Sequence, residues 1–246
     1  MKLESVSPAR LYLFSLSTAS VPLASGQSLE MVLPCYLVVT TGGHHVLIDS
    51  GMAPEAPRPP QAPPSKDQKT VLECLSALHL RPQDIDTVVC THFDVDHAGF
   101  HDSFPHSQFV VQRQHYELAR NGDPRSALAR PHWDHPDLHY TQVEGDTELF
   151  PGFTLLETSG HAPGHQSVLV RLPKTGPVLL AIDAVVMERL FIPDRRAWPT
   201  DDDEVQLRAS TSKLLEIVER ESVSMVVFGH DGKQWRTLKK SPEFYD

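Results

Sequence analysis

T-H-F-D-V-D-H-A-G, residues Thr91 to Gly99, sets two histidines and two aspartates into the six positions from His92 to His97. It follows directly on Asp86-Thr-Val-Val-Cys90, a short apolar run that reads as a buried strand, so the polar cluster lies on the loop where a strand ends. The same plan recurs along the chain. Cys35 to Thr40, the Gly42-Gly43 turn and His45 to Asp49 read as a hairpin whose second strand ends in a carboxylate. Phe153 to Glu157 is a strand leading into T-S-G-H-A-P-G-H, residues Thr158 to His165. Ser167 to Leu172 with Val178 to Asp183 makes another hairpin that ends in aspartate, and Met225 to Phe228 runs as a strand into Gly229-His230-Asp231. The match between V-L-I-D at Asp49 and L-A-I-D at Asp183 points to two similar halves.

Loops at the ends of packed strands can bring their side chains to one point, and imidazole with carboxylate is a ligand set for zinc, iron or manganese. His92, Asp94, Asp96, His97, His161, Asp183 and His230 are too many for one tetrahedral zinc ion. They suit two ions that share a carboxylate. Singly these residues carry little. An aspartate at a strand end, as at Asp49 or Asp183, is ordinarily a turn former or cap, and a histidine after glycine, as at His230, is ordinarily a loop residue. The case for a metal centre is joint: the dense cluster, the strand endings and the residue types agree. The other histidines lack such a setting, and among them His135, in P-H-W-D-H-P, is the lesser candidate to reach a substrate.

The rest of the chain is read around that centre. Ala53 to Pro64 holds six prolines, too many for a helix or a central strand, and reads as a surface loop. Ser65 and Gln68 have capping-box spacing, and Val71, Leu72, Leu75 and Leu78 share one face, which predicts a helix from Ser65 to about Leu80 stopped by Arg81-Pro82. Gln114 to Ala119 reads as helical and Asn121 to Tyr140 as an irregular loop. Glu204 to Glu221 is a predicted helix with Val205, Leu207, Leu214, Leu215 and Val218 as its apolar set. With 246 residues, 40% of them hydrophobic, the chain has enough apolar material for one large domain over residues 1–246. A net charge of −10 and no basic block longer than Lys239-Lys240 argue against a nucleic-acid partner. Cys35, Cys74 and Cys90 are scattered and form no C-x-x-C, so they are expected to be reduced core thiols of a cytoplasmic protein. Leu11 to Ser17 alternates as a strand does rather than as a signal peptide, and no apolar run approaches the roughly 20 residues of a membrane span. A monomer or homodimer acting on a small molecule is expected.

T-H-F-D-V-D-H-A-G, T-S-G-H-A-P-G-H, L-L-A-I-D and F-G-H-D resemble the successive metal motifs of the metallo-β-lactamase superfamily, whose signature is H-x-H-x-D-H. P-C-Y-L-V, L-I-D-S-G-M, P-G-H-Q-S and the tail F-G-H-D-G-K-Q-W-R-T-L-K-K-S-P-E-F-Y-D resemble in particular the N-acyl homoserine lactonase family, and the resemblance covers the chain from about Cys35 to its end. It implies an αββα sandwich, two mixed β-sheets face to face with helices outside and two divalent metal ions at one edge. It also implies a quorum-quenching hydrolase that opens a lactone ring by attack of a hydroxide held between the ions. Carried over to this chain, the resemblance gives His92, Asp94 and His161 to the first ion, Asp96, His97 and His230 to the second, and Asp183 to both. Asp96 is the implied catalytic residue, orienting the nucleophile and relaying a proton. His165 and Asp49 are implied supports behind the ligands. Two positions depart from the family. Asp94 stands where the family has histidine, and a third carboxylate shifts the expected ions from the default zinc toward manganese or iron. Val186 stands where many such lactonases have a tyrosine that hydrogen-bonds the substrate carbonyl, and it cannot donate. Hydrolysis of another ester, a thioester or a phosphoester is the alternative.

Overall fold

Alternation within the first strand already sets the architecture. In β1 (Pro8–Pro22) Leu11 and Leu13 point to one side and Tyr12 and Phe14 to the other, and all four are buried. A strand buried on both faces needs a layer on each side. The computed structural model describes residues 6–22, 28–52, 55–56 and 65–246; apart from Glu55 and Ala56, the proline-rich loop expected from Ala53 to Pro64 lies outside the described residues. The remaining strands are β2 (Ser28–Thr40), β3 (His45–Ile48), β4 (Ser65–Lys66), β5 (Thr87–Val89), β6 (Gln108–Gln112), β7 (His139–Val143), β8 (Thr147–Phe150), β9 (Phe153–Glu157), β10 (Gln166–Leu172), β11 (Gly176–Ile182) and β12 (Met225–Phe228). The helices are α1 (Val71–Ala77), α2 (Arg113–Arg120), α3 (Arg130–Trp133), α4 (Glu204–Arg220) and α5 (Gly232–Trp235).

The strands form two sheets, in the orders β4-β1-β2-β3-β5-β6-β7 and β12-β11-β10-β9-β8. Both are mixed: β1, β2 and β3 pair antiparallel while β3, β5, β6 and β7 pair parallel, and β8 to β11 pair antiparallel while β11 and β12 pair parallel. Leu11, Leu13, Val46, Ile48 and Val89 of the first sheet meet Phe153, Leu155, Val168, Leu180 and Val227 of the second in one core between them. On the outer face of the first sheet Phe14, Leu37, Leu47 and Phe109 pack with Val71 and Leu75 of α1 and with Trp133 of α3. Leu169, Leu179 and Ala181 pack on the outer face of the second with Leu214 and Ile217 of α4. The αββα sandwich is therefore realised layer by layer, and all three cysteines are buried free thiols, as expected of core residues.

Three local expectations are corrected. The helix expected from Ser65 begins at Val71, because Thr70 and Glu73 form the capping box: Thr70 Oγ1 accepts from Glu73 N at 3.2 Å and Glu73 Oε2 accepts from Thr70 N at 2.7 Å. Ser65 and Lys66 instead pair with Ala19 and Thr18 of β1. The Asn121 to Tyr140 segment is not wholly irregular, since it contains α3 and the start of β7. In α4 Val205 is 79% exposed; the buried face is made by Leu207, Leu214 and Ile217. Among the described residues no helix is long and apolar enough to cross a membrane.

Candidate metal centre

Strand direction brings the polar loops to one edge. β3 and β5 run parallel, and β9 shares its direction with β11 and β12 because two antiparallel steps separate it from β11. Asp49, the His92 to His97 loop, the Thr158 to His165 loop, Asp183 and His230 thus all follow strand C-terminal ends, the usual place for sites in such sheets.

The loop after β5 is held by backbone bonds to the end of β3. Asp49 N donates to Val89 O at 2.9 Å, Ser50 N to His97 O at 2.7 Å, and Gly99 N to Gly51 O at 2.7 Å. The Asp49 carboxylate, 1% exposed, accepts from Thr91 N at 2.9 Å and from Thr91 Oγ1 at 2.8 Å. Its Oδ2 also lies 2.8 Å from His97 Nδ1. A carboxylate on Nδ1 keeps the proton there and turns Nε2 toward the centre. His230 is fixed in the same way by its Nδ1 against Val32 O at 2.8 Å, and His161 by its Nδ1 against Asp201 Oδ1 at 2.8 Å. Gly229 lets the His230 loop close on Asp183, since a Cβ there would meet Ile182 O at 2.5 Å and Asp183 Oδ1 at 2.9 Å.

Six of the seven expected ligands then fall into two groups. His92, His161 and Asp183 form one and Asp96, His97 and His230 the other, the ligand atoms in each lying within 4.8 Å of one another. Asp183 joins them: its Oδ2 is 3.3 Å from His161 Nε2 and its Oδ1 is 3.6 Å from His97 Nε2 and 3.1 Å from His230 Nε2. Among the described residues His92 Nε2, His97 Nε2 and Asp183 Oδ1 are buried with no hydrogen-bond partner. Native interiors rarely leave such atoms unpaired, at a cost of about 1–3 kcal/mol each. A soft nitrogen and hard oxygen set with unused lone pairs fits divalent cations, so the residues present fit the two ions that the motifs imply. Asp96 is more open, its side chain 25% exposed, with Oδ2 3.8 Å from His97 Nε2 and 3.9 Å from His230 Nε2.

The charges in this cluster are strongly coupled. Burial alone would lower the imidazole of His97, but Asp96, Asp183 and Asp49 around it push it up to about 10. Burial likewise opposes His161, yet Asp183, Asp201 and Asp94 push it up to about 9. His92 goes the other way, held well below the ordinary value by burial and the positive charge of His97. Burial works against the Asp183 carboxylate, but His230, His97 and His161 hold it well below the usual range. Cations bound among these carboxylates would take the place of the protons that the raised imidazoles hold.

Asp94, the seventh expected ligand, stands beside the first group and is also paired with Arg125. Its Oδ2 is 3.6 Å from His92 Nε2 and 3.5 Å from His161 Nε2. Both its oxygens are held by Arg125, Nε to Oδ1 at 2.7 Å and Nη2 to Oδ2 at 2.6 Å. The same Nη2 lies 2.5 Å from His161 Nε2. His165 stands behind the cluster, with Nδ1 2.9 Å from Thr158 Oγ1 and Nε2 accepting from Asp183 N at 3.3 Å. His135 pairs with Asp137 and has no contact to these residues.

Three residues at the centre carried no signal in the sequence. Arg125 lies in a segment without periodicity. Asp201 belongs to an acidic run that reads as helix capping, which its neighbour Asp203 does perform at α4. His115 accepts from Phe93 N at 2.8 Å through Nε2, and its Nδ1 donates to Pro163 O at 2.8 Å, tying the His92 loop to the His161 loop; a histidine on a helix gives no hint of that. A cavity of about 420 Å³ opens beside Gln112, Glu157, Ser159 and Gly164, with none of the seven expected ligands in its wall, so the centre is recognised by its donors rather than by a cleft.

The comparisons with known proteins agree with this geometry. Residues 33–230 match the family model described as metallo-beta-lactamase superfamily. An N-acyl homoserine lactonase of a Bacillus species is 32% identical over 250 residues, covering 96% of each chain, and the N-acyl homoserine lactonase AttM of Rhizobium radiobacter is 34% identical over 247 residues, covering 90% of each. Among solved structures, a quorum-quenching N-acyl homoserine lactone lactonase superposes with a TM-score of 0.84 at 28% identity over 98% of this chain and 100% of that one. An N-acyl homoserine lactone hydrolase with N-hexanoyl-L-homoserine bound at its catalytic metal centre superposes with a TM-score of 0.83 at 28% identity over 97% of this chain and 100% of that one.

Proposed function

Since the chain belongs to the metallo-β-lactamase superfamily, and within it to the N-acyl homoserine lactonase family, we propose that it is a metal-dependent hydrolase that opens the ring of N-acyl homoserine lactones. The observation that carries this reading is the pair of three-donor groups joined through Asp183, with buried unpaired lone pairs aimed inward. His92, His161 and Asp183 would hold one ion and Asp96, His97, His230 and Asp183 the other. Two divalent ions there would supply a water of near-neutral pKa and an electrophile for an ester carbonyl. The residues do the rest. Asp96, the acid of the second group with an open flank, would orient the attacking water and carry its proton to the departing ring oxygen. Asp49, His165 and Asp201 hold the imidazoles and the Asp183 backbone in line, and Val186 offers no hydrogen bond to the carbonyl.

Zinc is the ion we assign. The four imidazoles His92, His97, His161 and His230 suit zinc, whereas manganese or iron is what an Asp94 carboxylate freed from Arg125 would favour. The domain is read as one unit over residues 1–246, working in the cytoplasm on a small molecule. Val186 favours a second reading, hydrolysis of another ester, a thioester or a phosphoester without tyrosine assistance. Elemental analysis beside a panel of lactones, esters, thioesters and phosphoesters tests both. We expect close to two zinc ions per chain and lactone turnover that falls in His161→Ala and His230→Ala but not in His135→Ala. Two ions without lactone opening would reject the lactonase reading.

A further inference from the structure

The guanidinium of Arg125 is a built feature of the centre. Its five N–H bonds face five polar partners: the two oxygens of Asp94, Nε2 of His161, Thr200 O at 2.8 Å and Asp202 Oδ1 at 3.1 Å. Its side chain is 14% exposed. The segment that supplies Thr200 and Asp202 also supplies Asp201, which orients His161, so one loop positions both the guanidinium and the imidazole it touches. A nitrogen lone pair accepts one partner. With Nη2 only 2.5 Å from His161 Nε2, no cation fits on that atom, and with the fork on Asp94 the guanidinium charge opposes a cation at the carboxylate. The second group has no such occupant. The carboxylates of Asp96 and Asp183 lie 3.1–3.9 Å from His97 Nε2 and His230 Nε2, and they attract a cation rather than exclude it.

We propose that Arg125 is an internal competitor for the first metal position, so that the centre fills in order: the Asp96, His97, His230 position first, and the His92, His161 position only when the guanidinium withdraws from His161 and Asp94. The proposal rests on the reading of the centre as a two-ion site. The cation to be displaced carries one charge and the incoming ion two, so exchange is driven by the carboxylates but costs the three contacts to Asp94 and His161 that Arg125 leaves behind. The first position is therefore the weaker and the one that ambient metal concentration controls.

The test is equilibrium dialysis of the metal-free full-length chain against buffered free zinc, with bound metal read by elemental analysis and folding by circular dichroism. In the unaltered chain we expect two separate binding steps, with His230→Ala erasing the tighter and His92→Ala only the weaker. Arg125→Met, which frees Asp94 and His161, should tighten the weaker step by about tenfold or more, the scale on which groups behind metal ligands act, with Arg125→Lys in between. Uptake of zinc in a single step, or a weaker step unmoved in folded Arg125→Met, overturns the proposal. Should Arg125→Met not fold, the His92→Ala and His230→Ala pair still decides the order. Two ordered steps in a chain that opens no lactone would uphold the loading order and reject the lactonase reading; one-step loading in an active lactonase would do the reverse.

Discussion

Asp49→Asn changes one atom and should disable one metal position without unfolding the protein. Asp49 receives Thr91 N on Oδ1 at 2.9 Å, and its Oδ2 faces Thr91 Oγ1 and His97 Nδ1, each at 2.8 Å. Asparagine can keep its oxygen toward Thr91 N only by turning its NH2 group toward His97. Nδ1 must then accept instead of donate, and the ring proton moves to Nε2, the atom that faces Asp96 and Asp183. A protonated Nε2 cannot bind a cation. The opposite amide orientation sets two donors, the NH2 group and Thr91 N–H, against each other in a buried site. On the scale measured for carboxylates behind ligating histidines, zinc affinity at the second position should fall about 10- to 100-fold, or about 1.4–2.7 kcal/mol. The metal-free fold loses one charge-assisted bond, about 1.5–3 kcal/mol. Asp49→Ala would strand three buried groups and cost more. Competition with a chromophoric chelator measures the affinity, and the 15N shifts of the His97 ring report the tautomer. Unchanged zinc affinity in Asp49→Asn, with the ring proton still on Nδ1, would refute the argument.

Two further outcomes follow from the same geometry. His97 and His161 are raised from 6.5 to about 10 and about 9, so in the metal-free chain their protons stabilise the fold fully below pH 6.5, and that contribution is lost as pH rises through 9 to 10. Zinc must displace those protons, so its affinity should climb over that window, with protons released in calorimetry run in buffers of different ionisation heat; a pH-independent affinity would contradict the charge assignment. Gly160→Ala should lower the melting temperature, because the position has φ +134° and a Cβ would lie 2.2 Å from Leu207 N on α4; strain and overpacking together predict about 3 kcal/mol or more, and an unchanged melting curve would show that the His161 loop and α4 can separate freely.

What was legible in the sequence was local. β3, β5, β9, β11 and β12 are short apolar runs between turn residues, and their ends announce themselves because a buried strand cannot continue into His-x-Asp or Gly-His. Less local information was ambiguous or silent. Ser65-x-x-Gln68 and Thr70-x-x-Glu73 satisfy the same capping pattern, and only pairing of Ser65 and Lys66 with β1 decides between them. β7, H-Y-T-Q-V, ends its sheet with no fully buried residue, so it has no apolar run to betray it. Val205 sits on the apolar pattern of α4 yet faces solvent, because the helix packs through Leu207, Leu214 and Ile217.

Asp94 shows the limit most sharply, because its residue type was readable and its partner was not. Read alone, an aspartate at a family histidine position adds a carboxylate to the metals and turns preference toward harder ions. The guanidinium that answers it comes from 31 residues away, in a loop whose Pro, Asp and His content carries no period to place Arg125 against anything. Ion pairs between loops depend on where two unrelated turns meet in space, which neither turn encodes by itself. The consequence is chemical. One added negative charge at the second ligand position is balanced by one arginine for as long as the pair holds, and His161 becomes the property of two competing cations. An aspartate at that position without an opposing guanidinium should therefore behave as a plain extra ligand, and the pairing rather than the aspartate sets this centre apart.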